Sequence, residues 1–200
     1  MLVHALMFGS RANGPALRAV VWFQGCTLGC DQCWNPATHA FSGAHVAPER
    51  VATEILDHQA VERLDGVTFS GGEPMQQAPA LLAIIQELRR RSTPLSLGMF
   101  TGYTERELDL GHFSCVPDAR LRQKVDLSRA IRTQLDFAVI GRYNQTQPST
   151  EGLCTSRNQR LRLFSGRYRE ADFASRAVEV VIGADGFTQI TGFPVRGIPA

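Results

Sequence analysis

The chain has 200 residues, 44% of them apolar, and 21 basic against 19 acidic side chains for a formal net charge of +2. That apolar share supports a sizeable core and excludes a disordered chain, and the length fits one domain with at most a small appendage. The tightest basic run, Arg89-Arg90-Arg91, falls at the end of an expected helix, where cations complement the helix dipole, so no nucleic-acid partner is expected.

The N-terminal stretch MLVHALMFGSRANG has only a short apolar run and no basic leader, so it is not read as a signal peptide. No segment approaches the ~20 apolar residues of a membrane span. A cytoplasmic protein with no membrane partner is expected. Residues 17–24 (LRAVVWFQ) read as a buried strand, followed by a Gly- and Cys-rich loop at 25–36. Residues 48–60 read as a helix with Pro48 in its first turn and Val51, Ala52, Ile55 and Leu56 on one face. A short strand at 66–70 runs directly into Gly71-Gly72-Glu73-Pro74. The next helix starts near Pro79 and repeats its apolar residues as Leu81, Ile84, Ile85 and Leu88. A strand at 95–100 ends at Thr101-Gly102-Tyr103. Helices at 104–110 and 118–134 precede a buried strand at 135–140, which ends at Gly141. The alternating segments 177–182 and 187–193 flank Ala184-Asp185-Gly186 and read as a hairpin, expected to close one edge of the sheet.

Strands that alternate with helices predict a parallel sheet with right-handed crossovers. Each distinctive motif follows directly on a predicted strand. In parallel α/β folds these carboxyl ends share one face, where ligands bind. The motifs should therefore converge on one site.

Three of the five cysteines fall in CTLGCDQC, a Cys-x3-Cys-x2-Cys spacing at Cys26, Cys30 and Cys33. Clustered thiols suit metal ligation in a reducing compartment better than a disulfide framework. Three thiolates can hold three irons of a cubane cluster and leave the fourth open. Structural zinc usually takes four protein ligands, and Cys115, Cys154 and His39 supply no recognisable second pair. Spacing alone favours the cluster and leaves zinc as the alternative.

With GGEP after a later strand, the cysteine loop resembles the radical S-adenosylmethionine (SAM) superfamily. The wording GPALRAVVWFQGCTLGCDQCWNP is similar to the cluster segment of the glycyl-radical-enzyme activases, and VTFSGGEP and TGYTEREL are closest to the anaerobic ribonucleotide reductase type. The likeness covers about residues 8–160. Three positions depart from it. Gln32 stands where an aromatic residue often precedes the last cysteine, Ile140 replaces an Asp before the Gly-x-aromatic turn, and Thr155-Ser156-Arg157-Asn158-Gln159 keeps only the Asn-Gln of an Arg-Gly-Ser-x-Asn-Gln stretch.

The resemblance implies an α/β fold: a partial, open parallel β/α barrel of the radical SAM type with a C-terminal β-hairpin, as a single domain over 1–200 with its core at about 8–160 and an extension at 161–200. It implies a [4Fe-4S] cluster on Cys26, Cys30 and Cys33, with SAM chelating the open iron. Gly71 and Gly72 would let the backbone approach the methionine part of SAM, Glu73 would accept from its amino group, and Pro74 would stiffen the turn. Thr101 would contact the ribose, or else cap the following helix. Asn35 would contact the adenine side, or else form the turn before Pro36. The implied activity is reductive cleavage of SAM to a 5′-deoxyadenosyl radical that generates a glycyl radical on a partner enzyme, with flavodoxin or ferredoxin as electron donor. The alternatives are a radical SAM enzyme acting on a small molecule or peptide, and a non-catalytic metal-binding module. A macromolecular substrate is expected because little chain is left over to cover the carboxyl face. The polar segment 142–159 is the expected contact region.

Overall fold

The computed structural model describes residues 1–91, 94–174, 177–182, 186 and 188–193. Its centre is a six-stranded sheet in sequential order: β1 (Val3–Ser10), β2 (Arg18–Phe23), β3 (Gly66–Gly71), β4 (Ser96–Thr101), β5 (Phe137–Ile140) and β6 (Arg160–Leu163). The four inner strands β2 to β5 run parallel, and β1 and β6 join antiparallel at the two edges. The protein is thus mixed α/β with a mostly parallel sheet.

The connecting helices are α1 (Pro48–Glu62) between β2 and β3, α2 (Ala78–Arg90) between β3 and β4, and α3 (Glu105–Leu110) with α4 (Leu121–Arg132) between β4 and β5. Pro48 fixes the first turn of α1, where its missing N–H costs nothing. A capping box starts α3: Thr104 accepts from the Glu107 backbone and Glu107 accepts from the Thr104 N–H. Strand side chains alternate between faces. On one face Ala19, Val21, Phe23, Val67, Phe69, Leu97 and Met99 join the apolar stripes of α1 and α2 in the main core.

The other face carries a second cluster of Phe137, Val139, Leu153 and Phe173 at the β5–β6 side. At its amino-terminal end lies Arg18, fully buried. Its guanidinium donates to Thr68 Oγ1 (2.7 Å), Val67 O (2.9 Å), Pro15 O (3.0 Å) and Ser96 O (3.1 Å), and lies 5.1 Å from the centroid of the Phe137 ring. Burying a cation is tolerable only with such a set of acceptors.

The hairpin strands β7 (Val178–Ile182) and β8 (Thr188–Gly192) pair antiparallel as a separate two-stranded sheet. This corrects the expectation of a hairpin at a sheet edge, since β1 and β6 already occupy both edges. Ala184 and Asp185 of the predicted turn lie outside the described residues, while Gly186 has the positive φ (81°) of a turn glycine. The hairpin is fastened to the loop after β1. The Glu179 carboxylate accepts from Ser10 Oγ (2.6 Å) and from the N–H groups of Arg11 (2.7 Å) and Ala12 (3.2 Å), and Asn13 Nδ2 donates to Thr191 Oγ1 (2.8 Å). Among the described residues no helix is long and apolar enough to cross a membrane.

Candidate active site

The carboxyl ends of β2, β3, β4 and β5 open on one cavity of about 810 Å³. Its walls include Cys26, Cys30 and Cys33, Gly71, Gly72 and Glu73, Thr101, and Asn35, so seven of the eight residues just named come from three motifs separated by up to 75 positions and the eighth follows the cysteines. Pro74, also predicted, is buried at the start of a single 3-10 turn, Pro74–Gln77, and does not line the cavity.

The GGEP loop is zipped to the end of β2. Gly72 N–H donates to Phe23 O (2.8 Å) and Glu73 N–H to Gly25 O (3.0 Å). This close approach explains both glycines. A Cβ on Gly71 would lie 2.5 Å from Phe23 N, and one on Gly72 would lie 2.4 Å from Gly25 O. Their bareness therefore serves packing of the chain on itself, whatever ligand the cavity holds.

Glu73 is 1% exposed. Its Oε1 accepts from Met75 N–H (2.9 Å) and Thr101 Oγ1 (2.8 Å), and its Oε2 from Gly102 N–H (2.7 Å). One carboxyl thus clips the GGEP loop to the end of β4. Burial pushes its pKa up to about 7 although these donors pull it down. Thr101 is consequently committed to Glu73, and its Oγ1 also accepts from Tyr103 N–H (3.2 Å). It does not cap α3; Thr104 does. Asn35 opens a 3-10 turn, Pro36–Thr38, with no side-chain cap, and its Nδ2 lies 3.5 Å from Gly71 O.

Sequence reading missed three polar positions that hold this architecture. Gln76 is fully buried; its Oε1 accepts from Thr27 N–H (3.0 Å) and its Nε2 donates to Thr27 Oγ1 (2.7 Å) and Tyr103 Oη (2.8 Å), tying the cysteine loop to the turn after GGEP. Gln159 accepts from Thr155 N–H and Oγ1 (both 2.9 Å) and Ser156 N–H (3.1 Å), and donates to Gly141 O (3.0 Å). Arg142 forks onto both Glu107 oxygens at 2.8 Å and holds that carboxyl down at about 2. The available signal was two consecutive glutamines where α2 would begin with apolar residues, and the retained Asn-Gln pair.

The cysteine thiols are free and half-buried. Burial pushes the Cys26 thiol up to about 11, with Glu73, Cys30 and Cys33 adding to the rise, and burial followed by Cys33 raises Cys30. Neighbouring thiols raised in this way, as Cys26 and Cys30 are, become thiolates together only when a cationic group replaces their protons. Backbone N–H groups also approach the sulfurs: Leu28 at Cys26, Tyr143 at Cys30, and Asn35 at Cys33 (3.4 Å). Such donors surround cluster sulfurs. The donor set therefore fits an iron–sulfur cluster. Cys115 lies buried in the main core and Cys154 packs beside the second cluster.

A mostly parallel α/β sheet with a three-thiol loop at its carboxyl end is a frame that an iron–sulfur cluster would fit. The chain belongs to the 4Fe-4S single cluster domain family, whose model matches residues 12–162. It is 27% identical over 139 residues to the anaerobic ribonucleoside-triphosphate reductase-activating protein of Vibrio cholerae, covering 68% of this chain and 79% of that one. It is 28% identical over 109 residues to the protein of the same name from Haemophilus influenzae, covering 52% and 70%. It is 33% identical over 104 residues to the pyruvate formate-lyase-activating enzyme of Staphylococcus aureus, covering 50% of this chain and 41% of that enzyme. The crystal structure of QueE from Escherichia coli superposes with a TM-score of 0.40 at 17% identity, over 58% of this chain and 55% of that one. The family makes this chain a [4Fe-4S] protein, and the relatives named here are activating enzymes.

Proposed function

We propose that the protein generates a glycyl radical on a partner enzyme of the anaerobic ribonucleotide reductase type. In this reading Cys26, Cys30 and Cys33 hold the cluster, and Gly71, Gly72, Glu73, Thr101 and Asn35 form the SAM side of the cavity. The cluster and SAM together supply one-electron cleavage of the C5′–S bond and a carbon radical strong enough to take hydrogen from an unactivated carbon. The chain's own work is placement. Glu73 and Gln76 fix the cysteine loop against the ends of β3 and β4. The same reading takes the four parallel strands as an open β/α barrel in one domain, working in the cytoplasm with flavodoxin or ferredoxin as donor.

The observation that carries this proposal is the convergence of the three cysteines, the GGEP loop and Thr101 on one cavity. The reductase-activating relatives, whose lengths this chain mostly spans, supply the kind of partner. The test is to mix the anaerobically reconstituted, reduced protein with SAM and the glycyl radical enzyme of the same source and record electron paramagnetic resonance. A glycyl-radical signal on the partner is the expected result. Cys26→Ala, Cys30→Ala and Cys33→Ala should each abolish it, whereas Cys115→Ala and Cys154→Ala should not.

One observation favours a second reading, a small-molecule or peptide substrate. Thr188, Ile190 and Phe193 line the cavity, so the hairpin supplies a wall that sequence reasoning assigned to a sheet edge. A partner is then not required as cover. SAM-dependent turnover of a small molecule without any partner protein would decide for this alternative.

A further inference from the structure

The segment that follows β5 makes contacts that placement of the GGEP loop does not require. Tyr143 packs edge-on against Trp34, with ring centroids 6.1 Å apart and planes at 74°. Two residues further on, Gln145 Nε2 donates to the carboxylate of Asp31, 114 positions away in sequence. Asp31 directly follows Cys30, and Trp34 directly follows Cys33. Burial and Cys33 raise the Cys30 thiol pKa, while the Tyr143 backbone N–H bonded to that sulfur and the Arg142 guanidinium pull it the other way.

The segment is itself held firmly. Arg142 is forked onto Glu107, which the capping box of α3 already orients. Asn158 Nδ2 donates to Arg142 O (2.8 Å), and Asn144 N–H donates to Ser156 Oγ (3.2 Å). A rigid segment thus grips a loop that carries thiols on both sides of the grip.

We propose that residues 142–145 form a clasp that fixes the cysteine loop and sets the reduction potential and lability of the cluster it holds. The proposal rests on the assignment of Cys26, Cys30 and Cys33 as ligands. The potential of an iron–sulfur cluster depends on hydrogen bonds to its sulfurs and on solvent exposure. An N–H directed at Cys30 stabilises the more negative, reduced form, so it raises the potential. The Tyr143–Trp34 and Gln145–Asp31 contacts hold that N–H in place and cover one flank of the loop. These are positioning residues; none is required to touch substrate.

The test uses the full chain, reconstituted anaerobically, with Tyr143→Leu, Gln145→Ala, Asp31→Ala and Asp31→Asn. Asp31 and Gln145 are exposed, so the fold does not depend on them, and Asp31→Asn keeps an oxygen that can accept from Gln145. Two quantities are read: the rate of iron release to an iron(II) chelator, and the midpoint potential from a redox titration followed by electron paramagnetic resonance. Gln145→Ala and Asp31→Ala, which lose the charge-assisted hydrogen bond, should release iron about tenfold faster; Tyr143→Leu, which loses the ring contact, should also release it faster, and all three should titrate at a more negative potential. Asp31→Asn should recover most of both. Parent-like release and potential in the Gln145 and Asp31 variants would overturn the clasp while leaving the ligand assignment intact. A Cys33→Ala variant that keeps its cluster would instead overturn the assignment, and the clasp with it.

Discussion

At the scale of single residues, Glu73 is the most informative side chain. The sequence offered it as a ligand contact, and the structure shows it bonded to Met75, Thr101 and Gly102. Its folded pKa, about 7 against an ordinary 4.5, makes the proton a stabilising partner in the cluster-free protein. The contribution is complete below pH 4.5 and is lost as pH rises through 7. Across this window the parent should lose up to about 3 kcal/mol relative to Glu73→Gln, whose amide stays neutral. Thermal unfolding of both cluster-free proteins from pH 4.5 to 8 measures it, and parallel curves would exclude the proposed ionisation. A cationic ligand beside Glu73, such as the SAM amino group, would pull the carboxyl back to its charged form. Glycines 71 and 72 were legible as positions, because GGEP is short and follows a strand. Their reason was not, because the atoms a side chain would strike belong to residues 23 and 25.

Among the elements, those with a strong internal period were legible. α1 and α2 repeat apolar residues at helical spacing, and β2 to β5 are short apolar runs buried on both faces. The edge strands were not. β1 has a mixed burial pattern with register shifts, and β6, Arg160–Leu163, alternates exposed and half-buried residues around two arginines. An antiparallel edge strand needs only one packed face, so its signal over four residues is slight. The connection between β5 and β6 likewise reads as polar loop until Gln159 is placed. Its side chain joins both ends of that loop to Gly141 through four hydrogen bonds. Gln159→Ala leaves those buried or half-buried partners unmatched and should cost about 1–3 kcal/mol. Limited proteolysis should then cut within 142–158 sooner than in the parent, whereas an unchanged cleavage pattern would show that the loop is held by other means.

For the whole molecule, the sequence conveyed a parallel sheet and a single face for the motifs, and the cavity unites the motifs there. It misplaced the hairpin, because local alternation identifies strands without identifying their neighbours. The tether at Glu179 is what positions that wall. Glu179→Ala removes three hydrogen bonds to the 10–12 loop. Hydrogen exchange in 178–182 and 188–192 should then quicken about 10- to 100-fold, equivalent to roughly 1.5–3 kcal/mol for bonds to a charged acceptor. β3 and β4 should keep their protection, which separates release of the wall from general destabilisation. Loss of protection throughout would mean that the hairpin belongs to the same cooperative unit as the sheet.

The buried Arg18 beneath this cavity has a consequence for timing. Its guanidinium, the Phe137 ring and the acceptors around them fill the amino-terminal end of the open sheet face among the described residues. The cavity opens on the carboxyl side. Under the proposed activity, fresh SAM, spent nucleoside and a partner's glycine loop all share one doorway, and a docked partner blocks the other two. Loading must therefore come before docking, and product must wait for the partner to leave. Under that proposal, a steady-state rate set by departure of the activated partner, rather than by bond cleavage, would follow from such a shared doorway.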